Sequence, residues 1–152
     1  MESIEKDGLE ELDAKLSDIL ERAPEARREL HERLADELKQ EVDMQIANSV
    51  NDSNGEISGW QEPHVGSGGG YAAVRPTDSS SGPDSPGAIT NYLENGHAIR
   101  NPSGRAKNYR PAIHTPYVNG RHFYEATRAS ADSKVIAAAE EFAEELREKL
   151  SG

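Results

Sequence analysis

The chain has no cysteine, which removes disulfides, thiolate zinc sites and cysteine nucleophiles from consideration. Large apolar side chains are scarce too. Of 152 residues 34% are hydrophobic and 30% charged, with one Trp and two Phe, below the apolar share usual for a self-sufficient globule. The length suits one ordinary domain, so this composition predicts a chain that completes its burial against neighbours. No window approaches the ~20 apolar residues of a membrane span. The opening MESIEKDGLEE is acidic, unlike the basic-then-apolar start of a secretory signal. The expectation is a soluble protein made inside a cell, with no membrane partner.

Basic charge is the other shortage. The formal net charge is −11; residues 1 to 52 hold 16 acids against 7 bases, residues 53 to 120 hold 5 of each, and residues 121 to 152 hold 7 against 5. A protein that grips nucleic acid neutralises phosphates with a basic face, so stable DNA or RNA binding is not expected. The basic island Arg100, Arg105, Lys107 and Arg110 reads as a solvated loop balancing acidic helices.

What is present falls into three zones. Ile4, Leu9, Leu12, Leu16, Ile19 and Leu20 recur at short helical steps, which predicts an amphipathic helix. Ala23-Pro24 is expected to interrupt it, because proline belongs in the first turn of a helix. A second helix then runs to about Asn48, with a narrow stripe of Leu30, Leu34, Leu38, Val42 and Ile46 suited to lateral packing in a ring or bundle. From 55 to 76, alternation around Ile57, Val65, Tyr71, Ala73 and Val74 predicts short strands joined by turns. The run GSGGG at 66–70 lacks the Lys-Ser/Thr of a phosphate-binding loop and reads as a flexible hairpin tip or bulge. Residues 76–87 form a Ser/Pro/Gly loop, expected to be exposed and mobile.

In the third zone Ala88, Ile89, Tyr92 and Leu93 share a helical face that Gly96 can stop. Arg121 to Ala129 is expected to form a helical turn, and Ser130 or Asp132 to cap a final helix striped by Val135, Ile136, Ala139, Phe142, Ala143, Leu146 and Leu150. The fold class expected is α+β: long N-terminal helices over 1–52, then 53–152 with a small antiparallel sheet, a short helix, the flexible loop 76–87 and a long C-terminal helix.

Two stretches carry most of the polar detail: NYLENGH at 91–97 and YVNGRHFY at 117–124. As chemistry, Glu94, His97, His114 and His122 suggest metal ligands or an acid/base set, but no HExxH, close His pair or paired-carboxylate spacing accompanies them. As structure they read as clamps. Tyr92 and Leu93 pack down, Glu94 and His97 stay at the helix end, Gly120 turns the chain, Phe123 and Tyr124 anchor the last helix, and Arg121 reaches Glu94 as a charge-assisted pair.

Together NYLENGH, YVNGRHFYEAT and the charged C-terminal helix resemble the signature of tail-completion proteins of tailed bacteriophages, the head-to-tail joining, minor tail components of the neck. The matching residues are Tyr92, Glu94, Gly96 and His97, then Val118, Gly120, Arg121, His122 and Phe123; YAAVRP at 71–76 resembles the strand before the signature. The likeness spans residues ~55 to 150 in order. The long loop 76–87, and Asn119 where proline is common, depart from the pattern.

The resemblance implies a non-enzymatic virion protein without cofactor or metal. It implies a homo-oligomeric, hexameric ring at the capsid–tail interface, contacting portal-connector or stopper proteins and the tail tube protein. Genomic DNA would pass through the ring at ejection without stable binding, as net acidity favours. Tyr92, Glu94, Gly96, His97, Val118, Gly120, Arg121 and Phe123 would be clamp or interface residues. Two other readings remain: a tail-assembly chaperone, and a small metal-dependent hydrolase using His97, His114 and His122.

Overall fold

The computed structural model describes residues 2–99 and 117–151. The elements run α1 (Glu2–Ser49), α2 (Glu56–Trp60), β1 (Gln61–Val65), β2 (Ala72–Pro76), α3 (Pro86–Asn95), β3 (Gly96–Ala98), β4 (Tyr117–Asn119) and α4 (Phe123–Ser151). β1 pairs with β2, and β3 with β4. The class is α+β, with a long N-terminal helix, small two-stranded sheets and a long C-terminal helix.

The first zone differs from expectation in one respect. α1 is a single 48-residue helix with Pro24 inside it, about 72 Å long at ~1.5 Å per residue. A mid-helix proline removes one N–H donor and crowds the carbonyl four residues back, at about 3 kcal/mol. Pro24 is exposed, so water can reach the orphaned Leu20 carbonyl and the helix passes through. Likewise Arg121 to Ala129 is no separate turn: α4 starts at Phe123 and runs through Ser130 and Asp132 without a break.

The chain partitions into two units built from discontinuous segments. The first takes residues 1–40, 63–74 and 128–152. Here α1 and α4 run antiparallel: Ile19 and Ala23 line a hollow with Leu146 at one end of the seam, while Leu34 and Ala138 line another further along. Arg33 and Glu145 reach across at 4.0 Å. The glycine run is no free tip. Ser67–Gly69 form a short 3-10 turn, Gly68 accepts a hydrogen bond from the Arg27 guanidinium at 3.0 Å, and Gly69 is buried. A Cβ on Gly69 would sit 3.0 Å from the Arg28 Cα, and its φ of +66° is left-handed, so two constraints demand glycine there.

The second unit takes residues 41–62 and 75–127. Its core is Val42, Ile46 and Phe123, each at most 1% exposed. Ile57, expected in a strand, lies in α2. The carboxylate of Asp52 organises that turn, accepting the Ile57 N–H at 2.9 Å, the Ser58 N–H at 2.9 Å and the Ser58 hydroxyl at 2.8 Å. After β2, residues 77–84 carry no regular structure, and the chain re-enters the unit at Ser85. Its side chain accepts the Ala88 N–H as the N-cap of α3, with Pro86 in the first turn, the positions these residues favour.

Candidate functional site

The two stretches singled out in the sequence meet. Gly96 ends α3 with a φ of +77° and donates its N–H to the Tyr92 carbonyl. The chain then continues into β3, which pairs antiparallel with β4 in the register Gly96 with Asn119, His97 with Val118 and Ala98 with Tyr117. The Tyr117 hydroxyl donates to the Asn95 carbonyl at 2.9 Å. Beyond β4, Gly120 lies so close to the end of α3 that an added Cβ would fall 2.2 Å from the Glu94 carbonyl oxygen. Only glycine allows this approach. Arg121 N–H then donates to the Leu93 carbonyl at 2.7 Å and His122 N–H to that of Glu94 at 3.2 Å.

That path delivers the N-terminus of α4 onto the Glu94 side chain. The carboxylate accepts the Tyr124 N–H through Oε2 at 2.9 Å and the Glu125 N–H through Oε1 at 3.0 Å. The first N–H groups of a helix have no partner inside it and are ordinarily met by a Ser, Thr, Asp or Asn just before it. Here His122 precedes the helix, with a left-handed φ of 53°. A carboxylate 29 positions upstream takes over the capping, with its charge at the positive end of the helix dipole.

Two expectations about Glu94 are thereby corrected. It stands at the end of α3 as expected but is buried, 8% exposed, whereas Tyr92, expected to pack down, is 38% exposed. The buried line of α3 is Pro86, Thr90 and Glu94, four residues apart and largely polar, because what lies beneath it is a set of hydrogen-bonding groups. Nor does the Arg121 guanidinium pair with Glu94: the bond comes from its backbone to Leu93, and its side chain is exposed. Phe123 does anchor α4.

A buried polar chain extends from the cap. The Tyr124 hydroxyl hydrogen-bonds Gln61 Oε1, and Gln61 Nε2 donates to the Ile57 carbonyl and the Thr90 hydroxyl, each at 3.1 Å. Burial, reinforced by the negative charge of Glu94, pushes the Tyr124 phenol far above the ordinary tyrosine range. It stays protonated and holds its bond. Gln61 and Thr90 carry no signal in the sequence, where an isolated polar residue in a strand or helix gives no periodicity, and Tyr124 reads there only as an anchor of the last helix. A legible clue did exist: α4 follows Arg121-His122 with no capping residue, so a cap had to come from elsewhere.

The remaining site residues fall as follows. His97 stacks on Tyr92 at 5.3 Å between ring centroids, Val118 is exposed on β4, and His122 Nδ1 lies 3.2 Å from Glu125 Oε2. His114 and the basic island fall outside the described residues. Among the described residues no three His, Cys, Asp or Glu side chains are grouped to hold a metal, and every buried side-chain N or O atom has a partner. Both Glu94 oxygens face amides. The arrangement is built to hold two chain segments together.

Compared with protein-family models, with curated proteins and with solved structures, the chain finds no match.

Proposed function

We propose that this chain is a structural, ring-forming subunit of the neck of a tailed bacteriophage, a tail-completion component at the capsid–tail interface through which DNA passes. The observation that carries the reading is on α4. Ala138, Phe142 and Leu146 line its seam with α1, yet Val135 is 43% and Ile136 58% exposed, with Ala139 and Ala143 exposed on the same side. The apolar face is wider than the surface that α1 covers. Identical copies side by side would cover the remainder, as in homo-oligomer contacts that resemble a core cut in half.

Three further features support the reading. The clamp residues are those of the resemblance, and their roles are conformational: Gly96 and Gly120 permit a close approach, Glu94 caps, Phe123 anchors. The exposed Arg121 and Tyr92 remain available to portal-connector, stopper or tail tube proteins. The net charge of −11 lets DNA slide past without being retained. On this reading the chain catalyses no reaction and needs no cofactor or metal.

Negative-stain microscopy of the purified chain, alone and mixed with connector and tube proteins, tests it. Annular particles, and the chain's presence in purified virions, are expected. A chain that never forms rings, or that assists tail assembly and is missing from the virion, contradicts it; the second result identifies a chaperone.

A further inference from the structure

Asparagine stands directly before glycine at 54–55, at 95–96 and at 119–120. Such pairs are chemically labile: with no Cβ to hinder it, the glycine nitrogen can attack the asparagine Cγ and close a succinimide ring. All three asparagines are exposed, so exposure does not choose among them. The backbone does.

The two pairs at the clamp are held. Asn95 ends α3, its Nδ2 donates to Asn91 Oδ1 at 2.8 Å, its carbonyl accepts the Tyr117 hydroxyl, and the Gly96 N–H after it is bonded to the Tyr92 carbonyl. Asn119 pairs with Gly96 at the end of β4, and Gly120 beyond it is pressed against the Glu94 carbonyl. Ring closure needs the peptide after asparagine to swing towards the side chain. Helical and paired backbone oppose that rotation, and only local opening would release it.

Asn54 lies instead in the turn between α1 and α2. The Gly55 N–H is held by a turn bond to the Asp52 carbonyl at 3.0 Å, and there is room around it: a Cβ on Gly55 would meet nothing closer than the Ser58 hydroxyl at 3.9 Å. The Glu56 N–H points to Asn54 Oδ1 at 3.4 Å, the oxygen that gathers negative charge when Cγ is attacked, where a donor favours the step. The Glu56 carboxylate accepts from Nδ2, the leaving group, at 3.3 Å.

We propose that Asn54 is a site of spontaneous self-modification, converting to aspartate and isoaspartate in the folded chain while the clamp protects Asn95 and Asn119. The Gly55 nitrogen loses its proton and bonds to Asn54 Cγ; the Cγ–Nδ2 bond breaks, and Nδ2 takes up a proton and leaves as ammonia. Water then opens the succinimide at either carbonyl. The product places a new negative charge in the turn that Asp52 organises.

The test incubates the full chain in mildly alkaline buffer, folded and in urea, and follows the three Asn-Gly peptides by mass spectrometry with isoaspartate detection. In urea all three should convert at similar rates. In the folded chain Asn54 should convert at least about tenfold faster than the other two, with an acidic shift on ion exchange that Asn54→Asp reproduces. Gly55→Ala should slow conversion at 54 in urea as well, where folding plays no part. Equal conversion of the three in the folded chain, or faster loss of Asn95 or Asn119, overturns the proposal. So does an Asn54 that stays intact in the folded chain while urea lets all three react, or a rate at 54 that Gly55→Ala leaves unchanged.

Discussion

Glu94 caps the helix that begins at Phe123: its Oε2 receives the Tyr124 N–H at 2.9 Å from 30 residues away in sequence. One side chain thereby ties the end of α3 to the start of α4, with Glu125 N–H on the other oxygen. Glu94→Ala should cost ~1–3 kcal/mol, the range for a lost cap and for buried donors left unmet. Glu94→Gln should cost less, since its amide oxygen can still accept one bond. Urea denaturation of the three proteins checks the order; equal stability would deny Glu94 its capping role.

Gly120 and Gly96 make the approach possible. Gly120→Ala drives a Cβ to 2.2 Å from the Glu94 carbonyl oxygen, and Gly96→Ala to 2.4 Å from that of Val118, both backbone atoms with little room to yield. Each should lower the melting temperature by several degrees or prevent folding, as expected when backbone must shift. Gly8→Ala, in α1 with nothing within 4 Å, should instead stabilise by about 0.5–1 kcal/mol. Thermal melts of the three variants distinguish steric need from glycine content.

The phenol of Tyr124 links stability to alkaline pH. Its pKa is raised by burial and by Glu94, so the folded chain keeps a proton that the unfolded chain releases above about pH 10. Its contribution is present in full below that pH and declines as pH rises beyond it, because the unfolded state then binds fewer protons. Tyr124→Phe should flatten that alkaline decline while costing ~1–3 kcal/mol at neutral pH, since Gln61 Oε1 loses its donor.

At the acid end the sign is opposite. Burial pushes the Asp52 carboxyl up, but the N–H groups of Ser58 and Ile57 and the Ser58 hydroxyl outweigh it and leave its pKa below the usual carboxylate value. That stabilisation is present above the unfolded pKa, near 4, and is lost as pH falls through the lower folded value. Asp52→Asn should make stability less sensitive to pH below about 4. Denaturant midpoints measured across the acid and alkaline ranges test both residues.

How far the sequence could be read follows from which physics is local. The stripe on α1 and the order of elements follow from periodicity, and Gly96 as a helix stop from glycine's access to positive φ. Pro24 reads as a break because a proline's local cost, about 3 kcal/mol, weighs heavily against local propensity alone, whereas a 48-residue helix packed along part of its length can absorb it. The clamp was legible as two stretches, since Gly120 and Phe123 do what such residues usually do. Its wiring was not. That Glu94 meets backbone amides instead of Arg121, and that Gln61, Thr90 and Tyr124 form one polar chain, depends on contacts about 30 to 60 residues apart that no spacing encodes. Pro24→Ala follows from the correction: it should raise stability by ~1–3 kcal/mol with helicity by circular dichroism unchanged or higher.

The central claim is that the uncovered apolar side of α4 is completed by copies of the same chain. Sedimentation equilibrium of the wild type and of Ile136→Glu, over a wide concentration range, measures this most directly. A wild-type mass at an integer multiple of the chain, six for the expected ring, with the variant reduced to monomer yet fully helical, is the predicted result. A monomeric wild type at every concentration, with connector and tube proteins also present, would contradict it.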